Sequence, residues 1–245
     1  MLRDKHVDGA RSGFLDRIGI FPPLFRGYVG LLLFMIGDGV EAGYLSKYLV
    51  ERGIASQESV ALVFTAYGIT VAISAWLSGA LSDLWGPRQV MKLGLWIWVV
   101  FHAGFLALGV APGSYPIVIV MYALRGFGYP LFAYGFLVWI SVATPQQRLG
   151  TAVGWFWFAL TGGLMTLGPL FASLMIPLVG AYQTLWWSLA LVGLGGLVAI
   201  FGIREPIGRS RLAPHGEHPL LTLFSSVSIA WKKPKTAVGC IVRII

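Results

Sequence analysis

Long apolar runs separated by short polar joints dominate the chain. Six such runs can be read, at 27–49, 59–81, 90–110, 115–140, 150–175 and 182–203. Each holds roughly 20–26 residues, and a helix of that length reaches about 30 Å, enough to cross the hydrocarbon of a bilayer. The joints carry turn chemistry: Trp85-Gly86-Pro87, Ala111-Pro112-Gly113, Thr144-Pro145, and Pro177 with Gly180. A β-barrel would show short segments of alternating polarity instead. The pattern predicts an all-α membrane protein, a bundle of six transmembrane helices. Residues 27–110 and 115–203 each contain three spans of matching length, as in a 3+3 repeat.

The flanks read differently. Residues 1–26 are polar and charged, a segment outside the membrane, and 27–203 form the transmembrane domain. Within 204–235, Leu220, Leu223, Phe224, Val227 and Trp231 fall at helical spacing and precede Lys232-Lys233. That pattern predicts a central loop with an amphipathic helix on the membrane surface. Residues 236–245 turn apolar again but are too few to span, and are expected to start a truncated seventh helix.

Composition narrows the function classes. The chain is 57% hydrophobic and 11% charged, against about 25% charged residues in soluble domains, which excludes a cytosolic enzyme and a disordered tail. Cys240 is the single cysteine, so neither a disulfide framework nor a cysteine metal site can form. The net charge of +8 is explained by where the cations lie. Fifteen of the eighteen Lys and Arg residues fall in 1–26, after helices 2 and 4, or beyond 203. By the positive-inside rule these parts are cytoplasmic, which predicts a multi-pass protein of the cell (plasma or inner) membrane with a cytoplasmic N-terminus. The basic balance is thus an orientation signal, and no nucleic-acid partner is expected. Neither HExxH, GxSxG nor CxxC occurs, so no enzymatic activity, metal or cofactor is expected.

Four ionisable side chains lie deep in the spans: Asp38 and Glu41 in helix 1, His102 in helix 3 and Arg125 in helix 4. A charge near the bilayer centre costs at least about 2.5–3.5 kcal/mol, so such residues have a partner or a task. Measured from the cytoplasmic ends at about 1.5 Å per residue, they lie at about 16, 21, 18 and 22 Å, one slab near the midplane. Asp38 and Glu41, three residues apart, share a helix face. Tyr67 falls about 21 Å deep, and Arg125, Tyr129, Phe132 and Phe136 form a stripe along helix 4. Asp38, Glu41, Arg125, Tyr129 and Tyr67 make a candidate cavity for a small polar solute and a proton. Glu41 would alternate between a protonated and an Arg125-paired state while Asp38 passes the proton on or binds a solute hydroxyl. The bland alternative pairs Glu41 with Arg125 only to hold helices 1 and 4 together; His102 reads as a packing residue. Gly39-xxx-Gly43 and Gly150-xxx-Gly154 read as internal helix packing.

The stretch Gly79-Ala80-Leu81-Ser82-Asp83-Leu84-Trp85-Gly86-Pro87-Arg88 closely resembles the motif that the major facilitator superfamily carries between helices 2 and 3. There Gly79 would permit close packing, Gly86 turn the chain, and Asp83 pair with Arg88 at the membrane surface. The resemblance implies that this cluster latches two six-helix halves during alternating access, so that the chain is an N-terminal half lacking its C-terminal partner. Arg125-Gly126-Phe127-Gly128 resembles the superfamily's helix 4 motif, whose arginine is linked to proton coupling. Gly168-Pro169 without a fuller glycine pattern is unlike the antiporter motif and implies symport. Gly37-Asp38-Gly39-Val40-Glu41, the run from Arg125 to Phe132, Gly154-Trp155-Phe156-Trp157 and the closing Ile241-Val242-Arg243-Ile244-Ile245 look like the polyol permeases, proton symporters of ribitol and D-arabinitol. Arg204-Glu205-Pro206 stands where a hexose porter carries Pro-Glu-Ser-Pro-Arg. Related permeases act on organic acids such as 2-oxoglutarate, so such a substrate stays open, as does a six-helix scaffold without transport.

Overall fold

A computed structural model describes Leu15, residues 18–203, Gly208, Arg211 and Leu212. The expected amphipathic helix of the central loop, the start of a seventh helix and most of segment 1–26 lie outside the described residues. The described chain is helical. A 3-10 turn, Pro22–Leu24, leads into α1 (Phe25–Gly39), followed by α2 (Leu45–Glu51), α3 (Gln57–Trp85) and α4 (Pro87–Gly104). A wider π turn, Phe105–Val110, extends α4. Then come α5 (Tyr115–Arg125), α6 (Gly128–Ala143) and α7 (Leu149–Thr161), a second π turn at Gly162–Leu167, α8 (Gly168–Val179) and α9 (Ala181–Gly202).

Local chemistry sets most of these boundaries. Ser56 caps α3 by accepting from the Ser59 N–H at 3.2 Å, with Glu58 in the first turn against the helix dipole. One residue, Gly86, separates α3 from α4; its φ of 84° is reached without strain only by glycine, and Pro87 follows at the first helical position. Gly180, at φ 86°, joins α8 to α9 in the same way; Pro177, expected in that joint, lies inside α8. Among the described residues, five passes are long and apolar enough to cross a membrane: Gln57–Trp85, Pro87–Val110, Tyr115–Ala143, Gln146–Val179 and Ala181–Gly202.

The first pass corrects the sequence reading. A continuous helix over 27–49 was expected; α1 instead ends at Gly39, and Glu41 sits in a turn held by Ala42 N–H to Gly39 O (3.1 Å) and Tyr44 N–H to Glu41 O (3.1 Å). Three glycines, Gly37, Gly39 and Gly43, weaken the helix here by about 1 kcal/mol each relative to alanine. Tertiary contact completes the break, because the Gly39 backbone lies against Leu164 and Gly168 of the fifth pass with no room for a Cβ.

The fourth pass breaks as well, at Gly126–Phe127 between α5 and α6. The predicted aromatic stripe is therefore divided. Arg125 ends α5, Tyr129 begins the next helix, and Phe132 and Phe136 are fully buried in the core.

Two apolar clusters hold the bundle. One gathers Phe34, Trp98, Phe132, Trp139 and Phe156, with Phe34 and Phe132 stacked at 4.1 Å. The other gathers Leu45, Val63, Phe105, Val118, Tyr122 and Leu185. Backbone-close packing joins α1 to α9, where a Cβ on Gly30 would stand 2.5 Å from the Ala199 nitrogen. Outward-facing side chains such as Trp96, Phe158, Leu178 and Phe201 remain exposed apolar surface, which only a hydrocarbon solvent tolerates in such quantity. Gly150 and Gly154, expected to serve packing, have no atom within 4 Å of a Cβ position among the described residues.

Candidate functional site

The charged residues meet in the seam between the two apolar clusters. The breaks put them there: α1 unwinds at the Asp38–Glu41 region and the fourth pass at Arg125-Gly126. These passes are the first of each three-helix unit, and interrupted helices at corresponding places mark binding sites in repeat-built transporters. Two hydroxyls of α3 bond carbonyls on either side of the second break, where Ala123 O also accepts the Gly126 N–H at 2.9 Å. Thr70 donates a proton shared between Ala123 O (2.6 Å) and Tyr67 O (2.8 Å), and Ser74 donates to Phe127 O (2.8 Å). A Cβ on Gly126 would overlap the Thr70 hydroxyl and stand 2.8 Å from Tyr67 O, so only glycine admits α3 this close.

Arg125 is 1% exposed and forms a two-pronged pair with Glu41. One terminal nitrogen, Nη1, donates to Glu41 Oε2 at 2.7 Å, and the other, Nη2, donates to Oε1. Tyr122 donates its hydroxyl to the same Oε1 at 2.7 Å. Asp38 stands 4.0 Å from Nη2 and accepts from the Trp98 indole N–H at 2.5 Å. The guanidinium also lies over three rings, Tyr122 at 4.4 Å, Trp98 at 5.0 Å and Tyr67 at 5.3 Å, which stabilises a cation away from water. His102, fully buried, lies 2.8 Å from Nη1.

A cavity of about 500 Å³ opens beside this cluster, with Asp38, Glu41, Tyr67, Tyr122 and Tyr129 in its wall. Four of the five sequence-predicted cavity residues therefore share it. Arg125 is the exception: it lies behind Glu41 rather than in the wall. The sequence reading missed Tyr122 and Trp98. Helical spacing held the signal for both, since Tyr122 precedes Arg125 by three residues and Trp98 precedes His102 by four.

The predicted latch is placed differently from expectation. Gly86 turns the chain as predicted. Asp83 and Arg88 form no ion pair; Arg88 instead donates from Nε to Ile200 O at 3.1 Å and lies 5.7 Å from the Phe201 ring. The reason is that Ile200 lies in the last turn of α9, whose carbonyls carry the negative end of the helix dipole and attract a cation. Gly79 has no atom within 4 Å of a Cβ position among the described residues, so it serves no close packing there.

The Major Facilitator Superfamily profile matches residues 27–243. The chain is 42% identical to the Alpha-ketoglutarate permease of Bacillus subtilis (strain 168) over 236 residues, 96% of this chain and 54% of that protein. It is 36% identical to the D-arabinitol transporter of Klebsiella pneumoniae over 188 residues, 77% of this chain and 44% of the relative. The Ribitol transporter of the same organism is 36% identical over 182 residues, 74% and 42% of the two chains. The chain spans about half the length of the curated relatives it matches.

Proposed function

The chain belongs to the major facilitator superfamily, and on that footing we propose that it is the N-terminal half of a transporter that carries a polyol or similar small polar solute together with a proton by alternating access. It does so across the cell membrane with its N-terminus in the cytoplasm, and needs a C-terminal six-helix half to complete the central site. The observation that carries this reading is the cavity between the two broken passes, walled by carboxylates and phenols. Such groups donate to and accept from a polyol's hydroxyls. No cation stands among the described residues of that wall, because Arg125 is turned onto Glu41 behind it.

Charge balance supports the proton. Two carboxylates, Asp38 and Glu41, face one guanidinium, so the ionised cluster carries one net negative charge. One proton makes it neutral, which lowers the cost of closing it off from water. Arg125 and Tyr122 occupy both oxygens of Glu41, whereas Asp38 uses one for Trp98 and has no hydrogen bond on the other among the described residues. Asp38 is therefore the proton carrier of choice and Glu41 the clamp on Arg125. At the membrane surface, Asp83, unpaired with Arg88, remains available to latch against the other half.

A second reading, transport of an organic acid, is favoured by the 42% identity to the Alpha-ketoglutarate permease; it would need Arg125 to leave Glu41 for the solute. The full-length protein in proteoliposomes with an alkaline interior separates the readings by uptake of labelled ribitol, D-arabinitol and 2-oxoglutarate. Polyol accumulation that Asp38→Asn abolishes while exchange persists is the expected result. Accumulation of 2-oxoglutarate alone favours the acid permease, and uptake of none of the three favours a non-transporting scaffold. Coupling that survives Asp38→Asn but fails in Glu41→Gln returns the proton to Glu41.

A further inference from the structure

The imidazole of His102 belongs to neither the cavity wall nor the carboxylates, yet it touches the one cation between them. It is fully buried and stacks on Trp98 at 4.3 Å. Its Nδ1 lies 2.8 Å from Arg125 Nη1 and its Nε2 lies 3.1 Å from the Leu185 carbonyl. A guanidinium only donates and a carbonyl only accepts. Nδ1 therefore carries no proton and Nε2 carries one, so the ring is neutral and its tautomer is determined by its neighbours.

We propose that His102 is a positioning residue for the proton site: it anchors Arg125 on Glu41 and keeps it off Asp38. This rests on the transport reading above for its consequence, though not for its geometry. Nη1 has two hydrogens, one taken by Glu41 Oε2 and one by His102 Nδ1. Without the imidazole acceptor, that second N–H loses its partner inside an apolar bundle. The competing acceptor is already close, since Asp38 Oδ1 stands 4.0 Å from Nη2. A guanidinium relaxed toward Asp38 would occupy the carboxylate that must bind and release the proton. His102 thus keeps two neighbouring carboxylates in different roles.

The groups that bear on the ring come from each packed element. Arg125 reaches the ring directly from α5, and Tyr122 of the same helix, Asp38 and Glu41 of the first pass and Tyr67 of α3 surround that guanidinium. Helix α9 offers no charged side chain, only the Leu185 carbonyl and the Ser188 hydroxyl at 3.5 Å.

Two substitutions separate positioning from mere packing. In His102→Asn the amide oxygen takes the place of Nδ1 and preserves the acceptor for Arg125; in His102→Gln the side chain reaches the Nε2 position and loses that acceptor. With the full-length protein in proteoliposomes, polyol accumulation under a pH gradient is read against exchange without one. We expect Asn to stay within about twofold of the parent and Gln to lose roughly tenfold or more in accumulation while exchange continues. Equal accumulation by the two variants, or equal loss, would overturn the proposal. A second measurement does not depend on transport. Solid-state NMR of the ¹⁵N-histidine-labelled protein should show one ring, absent in His102→Gln, with Nε2 protonated and Nδ1 bare. An imidazolium or the opposite tautomer at that ring refutes the anchoring. The expected tautomer in a parent that moves no solute refutes the transport reading and upholds the anchor.

Discussion

Removing the charge of Glu41 without changing its size tests the central cluster most directly. Glu41 accepts from both terminal nitrogens of Arg125 and from Tyr122, and both members of the pair are almost completely buried. Losing one partner of a buried pair costs about 3–5 kcal/mol, because the other charge stays desolvated. In Glu41→Gln two features reduce that cost. The amide oxygen still accepts one hydrogen bond, and Asp38 remains 4.0 Å from the guanidinium to balance its charge. The loss should therefore lie near the lower bound, about 3 kcal/mol, or roughly a hundredfold in the unfolding equilibrium. Arg125→Gln should cost more, about 4–5 kcal/mol, since it leaves two buried carboxylates close together with no cation between them. The double variant should cost less than the sum by about 2 kcal/mol or more, because removing both charges leaves no orphan from the pair. Reversible unfolding of the full-length protein in mixed micelles, followed by tryptophan fluorescence, measures all three. Single variants within about 0.5 kcal/mol of the parent, or a double variant that is simply additive, would refute the reasoning.

Two further outcomes follow from other parts of the fold. Gly126→Ala places a Cβ 2.8 Å from Tyr67 O and against the Thr70 hydroxyl, and should lower stability by about 1–3 kcal/mol. A thermal unfolding curve that matches the parent would mean that α3 does not clasp the second break. For orientation, a Cys240→Ala background with single cysteines at Ser12, Ser210 or Ser114 should react with an impermeant maleimide from outside at position 114 alone. Labelling at 12 or 210 in sealed cells would reverse the topology.

How far the sequence reached depends on which coordinate is in question. Helix number, approximate ends and depth follow from run length, because each residue advances a helix by about 1.5 Å whatever surrounds it. Gly86 as a turn between two helices was legible for the same kind of reason, since glycine followed by proline is a local signal, although the structure shortens the joint read over 82–89 to that one residue. Depth alone brought Asp38, Glu41, His102 and Arg125 to one level, and the structure joins them there. Tertiary structure decided everything that depends on a neighbour. The first pass breaks because Gly39 meets the backbone of the fifth, and Thr70 and Ser74 of α3 hold the fourth break through the carbonyls on either side of it. Arg88 turned from Asp83 to the carbonyl end of α9, a partner more than a hundred residues away. His102 changed from packing residue to anchor once a guanidinium was found against its Nδ1. Rise along an axis is set by the chain's own backbone, whereas the rotation of a helix, its unwinding and the partner of a buried charge are set by which side chains and carbonyls other helices place within hydrogen-bond reach.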